Sequence, residues 1–121
     1  MKLRVATVIV SVLTLIFMAC ETKIPINEMI KAKQAIDRAM SVNAEKYSPE
    51  EMKQANEELL KAHDVIIKDE KPEESAKNAE TAYNKAMEAY NRSAVLYAAD
   101  CLKKADEAIA AADAVYAEKL S

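Results

Sequence analysis

Apolar residues are continuous at the start of the chain and helically periodic after it. Lys2 and Arg4 precede fifteen residues without a charge, Val5 to Ala19, after which Cys20 meets the polar Glu21-Thr22-Lys23. From Met29 onward the apolar positions recur every three or four residues. Met29, Ala32, Ile36, Ala39 or Met40, and Tyr47 describe a first helix, which starts near Glu28 with Asn27 as its cap and ends before Pro49. Ser48-Pro49-Glu50-Glu51 reads as a helix start, with Pro49 at the first helical position and Ser48 and Glu51 forming a capping box. Met52, Ala55, Leu59, Ala62 and Ile66 form the stripe of a second helix, widened by Leu60, His63 and Ile67, which stops near Lys68 to Lys71.

Pro72-Glu73-Glu74 opens a third helix in the same way, and no Pro follows it. Ala76, Ala79, Tyr83, Ala86, Tyr90, Ala94, Tyr97 and Cys101 mark one seam, continued by Ala105, Ile109, Ala112 and Tyr116. Unbroken, residues 72–119 form a helix about 70 Å long at ~1.5 Å per residue. The polar Asn91-Arg92-Ser93 is where it would bend. An internal echo supports a repeating plan. Lys31 to Ser48 aligns without a gap on Lys104 to Ser121, with ten identities in eighteen positions, four of them Ala. Convergent Ala/Lys/Glu composition is the competing explanation. The expected fold is all-α: an antiparallel bundle of three helices, the third about twice as long or bent into two, with tetratricopeptide-like hairpins as a variant.

Composition narrows the function classes. The 121 residues include no Gly, which removes Gly-rich phosphate loops and dinucleotide fingerprints. A single His and two distant Cys leave no spacing for a zinc site or a thiol–imidazole pair, so the chain is read as a non-enzyme without metal or cofactor. His63 is expected at the edge of the second helix's apolar face. Cys101 falls on the tyrosine seam, where a buried small hydrophobe is expected. Tyr83, Tyr90 and Tyr97 are spaced by seven on one helical face. With Tyr116 they are the candidates for a partner-binding groove, because Tyr suits a surface where an apolar body meets a polar partner. Core packing with hydroxyls at the rim is the alternative.

The leader carries a resemblance. A short basic start, an apolar run too brief for a comfortable membrane span, and Phe17-Met18-Ala19-Cys20 resemble the signal and lipobox of bacterial lipoprotein precursors. Phe17 in place of Leu, and the bulky Met18, depart from that box. An uncleaved anchor helix and an ordinary cleaved signal remain as alternatives. The resemblance implies cleavage after Ala19 and a covalent lipid on Cys20, and hence residues 1–19 as signal peptide, 20–27 as lipidated tether and 28–121 as helical domain. Removing two bases and no acid takes the formal charge from −3 to −5. A mildly acidic body argues against nucleic acid.

A second resemblance covers roughly residues 28–95. Ala44-Glu-Lys-Tyr-Ser-Pro-Glu-Glu-Met-Lys-Gln-Ala, then Leu59-Leu60-Lys-Ala62 and the alanine-periodic stretch from Ala76 to Ala94, is similar to a small alanine-rich domain of unknown function found in bacterial envelope lipoproteins. It implies a helical, non-catalytic protein of the cell envelope, held at a periplasmic or surface face by its lipid. Its partner would be another envelope protein or itself, with no small-molecule substrate. The other expectation is a homo-oligomeric coiled coil that spaces membrane from wall. About 24 residues of Ala-rich helix beyond the bundle are poorly stable as a lone rod, so they must fold back or pair with another chain.

Overall fold

The computed structural model describes Arg4 and residues 24–121. The expected signal peptide and Cys20 lie outside the described residues. The described chain is all-α, with four helices: α1 (Ile26–Ser41), α2 (Ala44–Tyr47), α3 (Pro49–Asp69) and α4 (Pro72–Leu120). The long helix is one continuous element of 49 residues, about 73 Å at ~1.5 Å per residue. Asn91-Arg92-Ser93 does not interrupt it.

Helix α4 is the axis of the bundle, and both α1 and α3 pack chiefly on it. Ser48 at the start of α3 meets Ser93, and Ala62 near its end meets Ser75, so α3 runs antiparallel to α4. Glu28 and Ala76 line one end of the α1–α4 groove and Arg38 meets Tyr90 at the other, so α1 runs parallel to α4. The path is therefore up, down, up.

The face of α4 at the centre is built only from small residues: Ser75, Ala79, Ala82, Ala86, Ala89 and Ser93. Their 4-3-4-3-4 spacing keeps one seam inward over five turns. Methyl-sized side chains let two helices approach the same helix closely. The larger core residues come from the flanks: Met29 and Ile36 from α1, Met52 and Leu59 from α3. This corrects the expected seam. Ala79 and Ala86 belong to it, but the tyrosines stand beside it, because alanine and serine fill the line of closest approach. On α3 the stripe Met52, Ala55, Leu59 and Ala62 is buried as expected. Leu60, His63 and Ile67 do not widen it; all three are exposed, because α3 touches one main neighbour rather than two.

Helix ends differ from the sequence reading in three places. Helix α1 begins at Ile26 with Pro25 at its cap, one turn-edge before Asn27. The first helix does not reach Pro49. It breaks at Val42-Asn43, where Asn43 takes the left-handed conformation (φ 61°), and α2 then redirects the chain. Asn tolerates that region better than most residues, so the polar position sets the corner in a chain without Gly. The capping box at Ser48 is not formed. Its hydroxyl accepts a hydrogen bond from Ser93 Oγ at 3.1 Å, and Glu51 turns to Arg92 instead. The α3–α4 corner uses Glu70 in the left-handed region (φ 51°).

Among the described residues the buried apolar core runs from Met29 to Ala89, and Pro25 at the cap of α1 is buried as well. The last two dozen residues of α4 add no buried residue to it.

Candidate functional site

Two surfaces stand out. One is the groove between the parallel helices α1 and α4. Glu28, Lys31, Glu73, Lys77 and Glu80 rim it, Ala76 contributes to its floor, and Tyr83 lies along it. Tyr83 also borders the next stretch of the same groove, with Gln34, Arg38 and Met87. One turn-pair further on, Tyr90 is half-buried against the core and Arg38 lies 5.8 Å from its ring centroid. That distance is within cation–π range. Tyr97 continues the line past the end of α1, and it is 37% exposed.

The structure therefore sets Tyr83, Tyr90 and Tyr97 along one side of α4, with Tyr83 the one that lies open in the groove. Tyr116 is not with them. It lies on the free end of α4, 71% exposed. At about 100° per residue it is roughly 100° around the helix from Tyr97. Tyr47, the fifth tyrosine, works elsewhere. Its hydroxyl donates to Asp100 Oδ2 at 2.5 Å, and Lys46 Nζ reaches the same oxygen at 3.1 Å. The hydrogen bond from Tyr47, then that from Lys46, hold the Asp100 carboxyl below its ordinary range. The same carboxylate pushes the Tyr47 hydroxyl and the Lys46 ammonium up. This cluster fastens α2 to α4 at the last level where the bundle touches the long helix. Sequence reasoning missed it, because residues 53 apart meet only through the turn at Asn43.

The second surface is α4 beyond that cluster. Every residue from Cys101 to Ser121 is exposed. Together with the exposed turn before Asp100, this segment carries a heptad of apolar positions: Val95, Ala98, Leu102, Ala105, Ile109, Ala112 and Tyr116. Val95, Leu102, Ile109 and Tyr116 are each at least 60% exposed. The stripe is not a continuation of the inward seam. That seam, extended past Ser93, passes through Leu96, Asp100, Lys103 and Glu107, which are mostly charged. The apolar stripe lies about 150° around the helix from it. Upstream of Val95 the stripe's own line is polar, through Asn91, Glu88 and Asn84. The apolar face of one continuous helix thus changes sides where the bundle ends.

The internal echo points the same way. Ala32, Ala35, Ile36 and Ala39 of α1 are at most 4% exposed in the core. Their aligned counterparts Ala105, Ala108, Ile109 and Ala112 lie open to solvent. A pattern that the chain buries in α1 is left uncovered at the end of α4.

One further expectation is corrected here. Cys101 is exposed, not buried, because α1 and α2 end below its level and no described residue covers that side of α4. His63 is exposed, about 60° around α3 from the middle of its buried stripe. Among the described residues there is no group of three or more His, Cys, Asp or Glu placed to hold a metal ion. No described helix is long and apolar enough to cross a membrane. Comparison of the chain with protein-family models, with curated proteins and with solved structures returns no match.

Proposed function

We propose that this chain is a lipid-anchored protein of the bacterial cell envelope that serves as a non-catalytic helical scaffold and presents the free end of α4 for contact with another protein. The observation that carries the scaffold reading is the uncovered apolar face of α4 from Val95 to Tyr116, joined by the same continuous helix to the bundle. A helical segment that adds no buried residue to the core and exposes Val95, Leu102, Ile109 and Tyr116 on one side is shaped for contact with something outside that core. The anchor reading rests on the leader alone. A basic start, fifteen uncharged residues and a Cys at their end match a lipoprotein signal, and the several acyl chains of that modification hold a protein without any membrane-crossing helix.

The geometry suits this arrangement mechanically. The described chain enters at Ile24, beside Pro72 and Glu73. The free end of α4 lies at the opposite end of the long axis. A lipid on Cys20 would tether one end of the rod and leave the contact helix pointing away from the membrane. The α1–α4 groove with Tyr83 on its wall is a second contact surface along the side of the same rod.

The anchor is tested by replacing Cys20 with Ala and following the protein through membrane fractionation and metabolic labelling with an alkyne fatty acid. The wild-type chain should fractionate with membranes and take up label. The variant should lose the label and appear in the soluble fraction. A variant that stays with the membrane rules out the lipid as anchor.

A further inference from the structure

We propose that the free end of α4 pairs with the same segment of a second copy, as an antiparallel two-helix coiled coil centred between Lys103 and Lys104. This deepens the reading of that segment as a contact surface and is independent of the anchor at Cys20.

Side-chain size sets the orientation. The large residues Val95, Leu102, Ile109 and Tyr116 occupy one heptad position, and Ala98, Ala105 and Ala112 occupy the other. A parallel pair would stack large on large and alanine on alanine, so the helix separation would have to alternate along the rod. An antiparallel pair sets each of the two heptad positions against the other. Val95 then faces the second copy's Ala112, Leu102 faces Ala105, Ile109 faces Ala98, and every such layer has one large and one small side chain. Uniform layers allow a straight, close contact, and the two-fold axis makes the surface its own complement.

Charge selects the register. With this centre Asp113 comes beside Arg92 of the second copy and Lys119 opposite Glu88. Arg92, although paired with Glu51, keeps a 61% exposed side chain, and Glu88 is 54% exposed. Tyr116 meets Asn91, whose position is exposed. Sliding one heptad toward the C-terminus brings Asp106 onto its own copy. Sliding one heptad the other way sets Ile109 and Tyr116 against Asn91 and Asn84. The chosen register also has room. The stripe faces away from α1 and α3, and the two bundles stand at opposite ends of the paired segment.

The area suffices. Residues 95–120 span about 39 Å, and a helix is about 10 Å across, so half of its surface is on the order of 600 Å². Two such faces reach the ~1,200 Å² at which specific interfaces begin. A lipid surface fits less well. The segment from Ala94 to Ser121 carries five acids and three bases, whereas helices that lie on membranes are rich in Lys and Arg.

Residues 24–121, which hold every described core residue, are suited to the test. Sedimentation equilibrium should give the mass of a dimer at about 100 µM, dissociating on dilution toward the low-micromolar range. Leu102→Glu and Ile109→Glu should each be monomeric at the same concentration with the bundle's unfolding midpoint unchanged. For orientation, a spin label on Ser121→Cys in a Cys101→Ser background should report a separation of about 50 Å, against under about 20 Å for a parallel pair. A monomer at about 100 µM, a dimer that survives both Glu variants, or a short label distance overturns the proposal. So does a monomer that binds vesicles of phosphatidylethanolamine and phosphatidylglycerol through this stripe. None of these outcomes depends on Cys20, so the pairing and the anchor fail separately.

Discussion

The hydroxyl of Tyr47 donates to Asp100 at 2.5 Å, and among the described residues this carboxylate is the last side-chain tie between the bundle and the long helix. The buried seam of α4 ends at Ser93, two turns before Asp100, and every residue after Asp100 is exposed. Lys46 completes the tie at 3.1 Å, so three charged or polar groups from α2 and α4 mark the boundary between the two halves of α4.

That boundary should respond to pH in both directions. The folded Asp100 has a lowered pKa, so its contribution is complete above the ordinary carboxylate range and is lost as pH falls through its folded value. Tyr47 and Lys46 have raised values, so theirs is complete at neutral pH and is lost as alkali carries them through their folded values. Amide exchange near Asp100, corrected for intrinsic rates, should be slowest at intermediate pH and accelerate at both extremes. Asp100→Asn should remove the acid limb. Unchanged protection in that variant would show that the tie holds nothing.

The alanine seam should be intolerant of size. Ala82 and Ala86 have 0% exposure at the line where α4 meets its neighbours. Ala82→Leu should destabilise residues 24–121 by about 1–3 kcal/mol or more through overpacking. Ala105→Leu, the same change on the free segment, should leave the bundle's unfolding midpoint in dilute solution within about 0.5 kcal/mol. Equal effects at the two sites would refute the division of α4 into a core half and a free half.

Ser93 and Ser48 share a buried hydrogen bond at 3.1 Å. Replacing Ser93 by Ala leaves the Ser48 hydroxyl buried without that donor, and should cost about 1–2 kcal/mol by urea unfolding. The double change Ser48→Ala, Ser93→Ala should cost less than the sum of the two single changes, since neither hydroxyl is then left alone. Strict additivity would mean the pair is not coupled.

Much of this was legible in the sequence. Pro49 and Pro72 mark the starts of α3 and α4, and the lack of Gly or Pro after residue 72 allows one long helix but leaves a bend at Asn91-Arg92-Ser93 open, which the structure does not show. The stripe Met52-Ala55-Leu59-Ala62 was read correctly because its large residues dominate the pattern. The seam of α4 was read one step off for the opposite reason. The tyrosines form a regular heptad, yet the line along which α4 meets α1 and α3 is filled by Ala and Ser. The break at Asn43 was hidden because no Gly or Pro marks it. The Tyr47–Asp100 tie depends on that break, so no local signal could announce it. Tyr116 shares a residue type with Tyr83, Tyr90 and Tyr97 but lies on the free end of α4, away from the groove.

The corner at Glu70 offers a gain in stability. A non-Gly residue at φ 51° is strained by roughly 1 kcal/mol. Glu70→Gly relieves the clash at some entropic cost and should raise the stability of residues 24–121 by about 0.5 kcal/mol. A loss of stability instead would show that the Glu70 side chain contributes more than its backbone conformation costs.

The central claim is that α4 has two halves with different tasks, and truncation tests it most directly. Urea unfolding of residues 24–121 and of residues 24–101 should be compared at a concentration low enough that no pairing occurs. Both should show the same bundle stability, within about 0.5 kcal/mol, because the last twenty residues bury nothing in the core. A loss of about 2 kcal/mol or more in the shorter chain would contradict it, and would mean that the end of α4 belongs to the fold rather than to a partner.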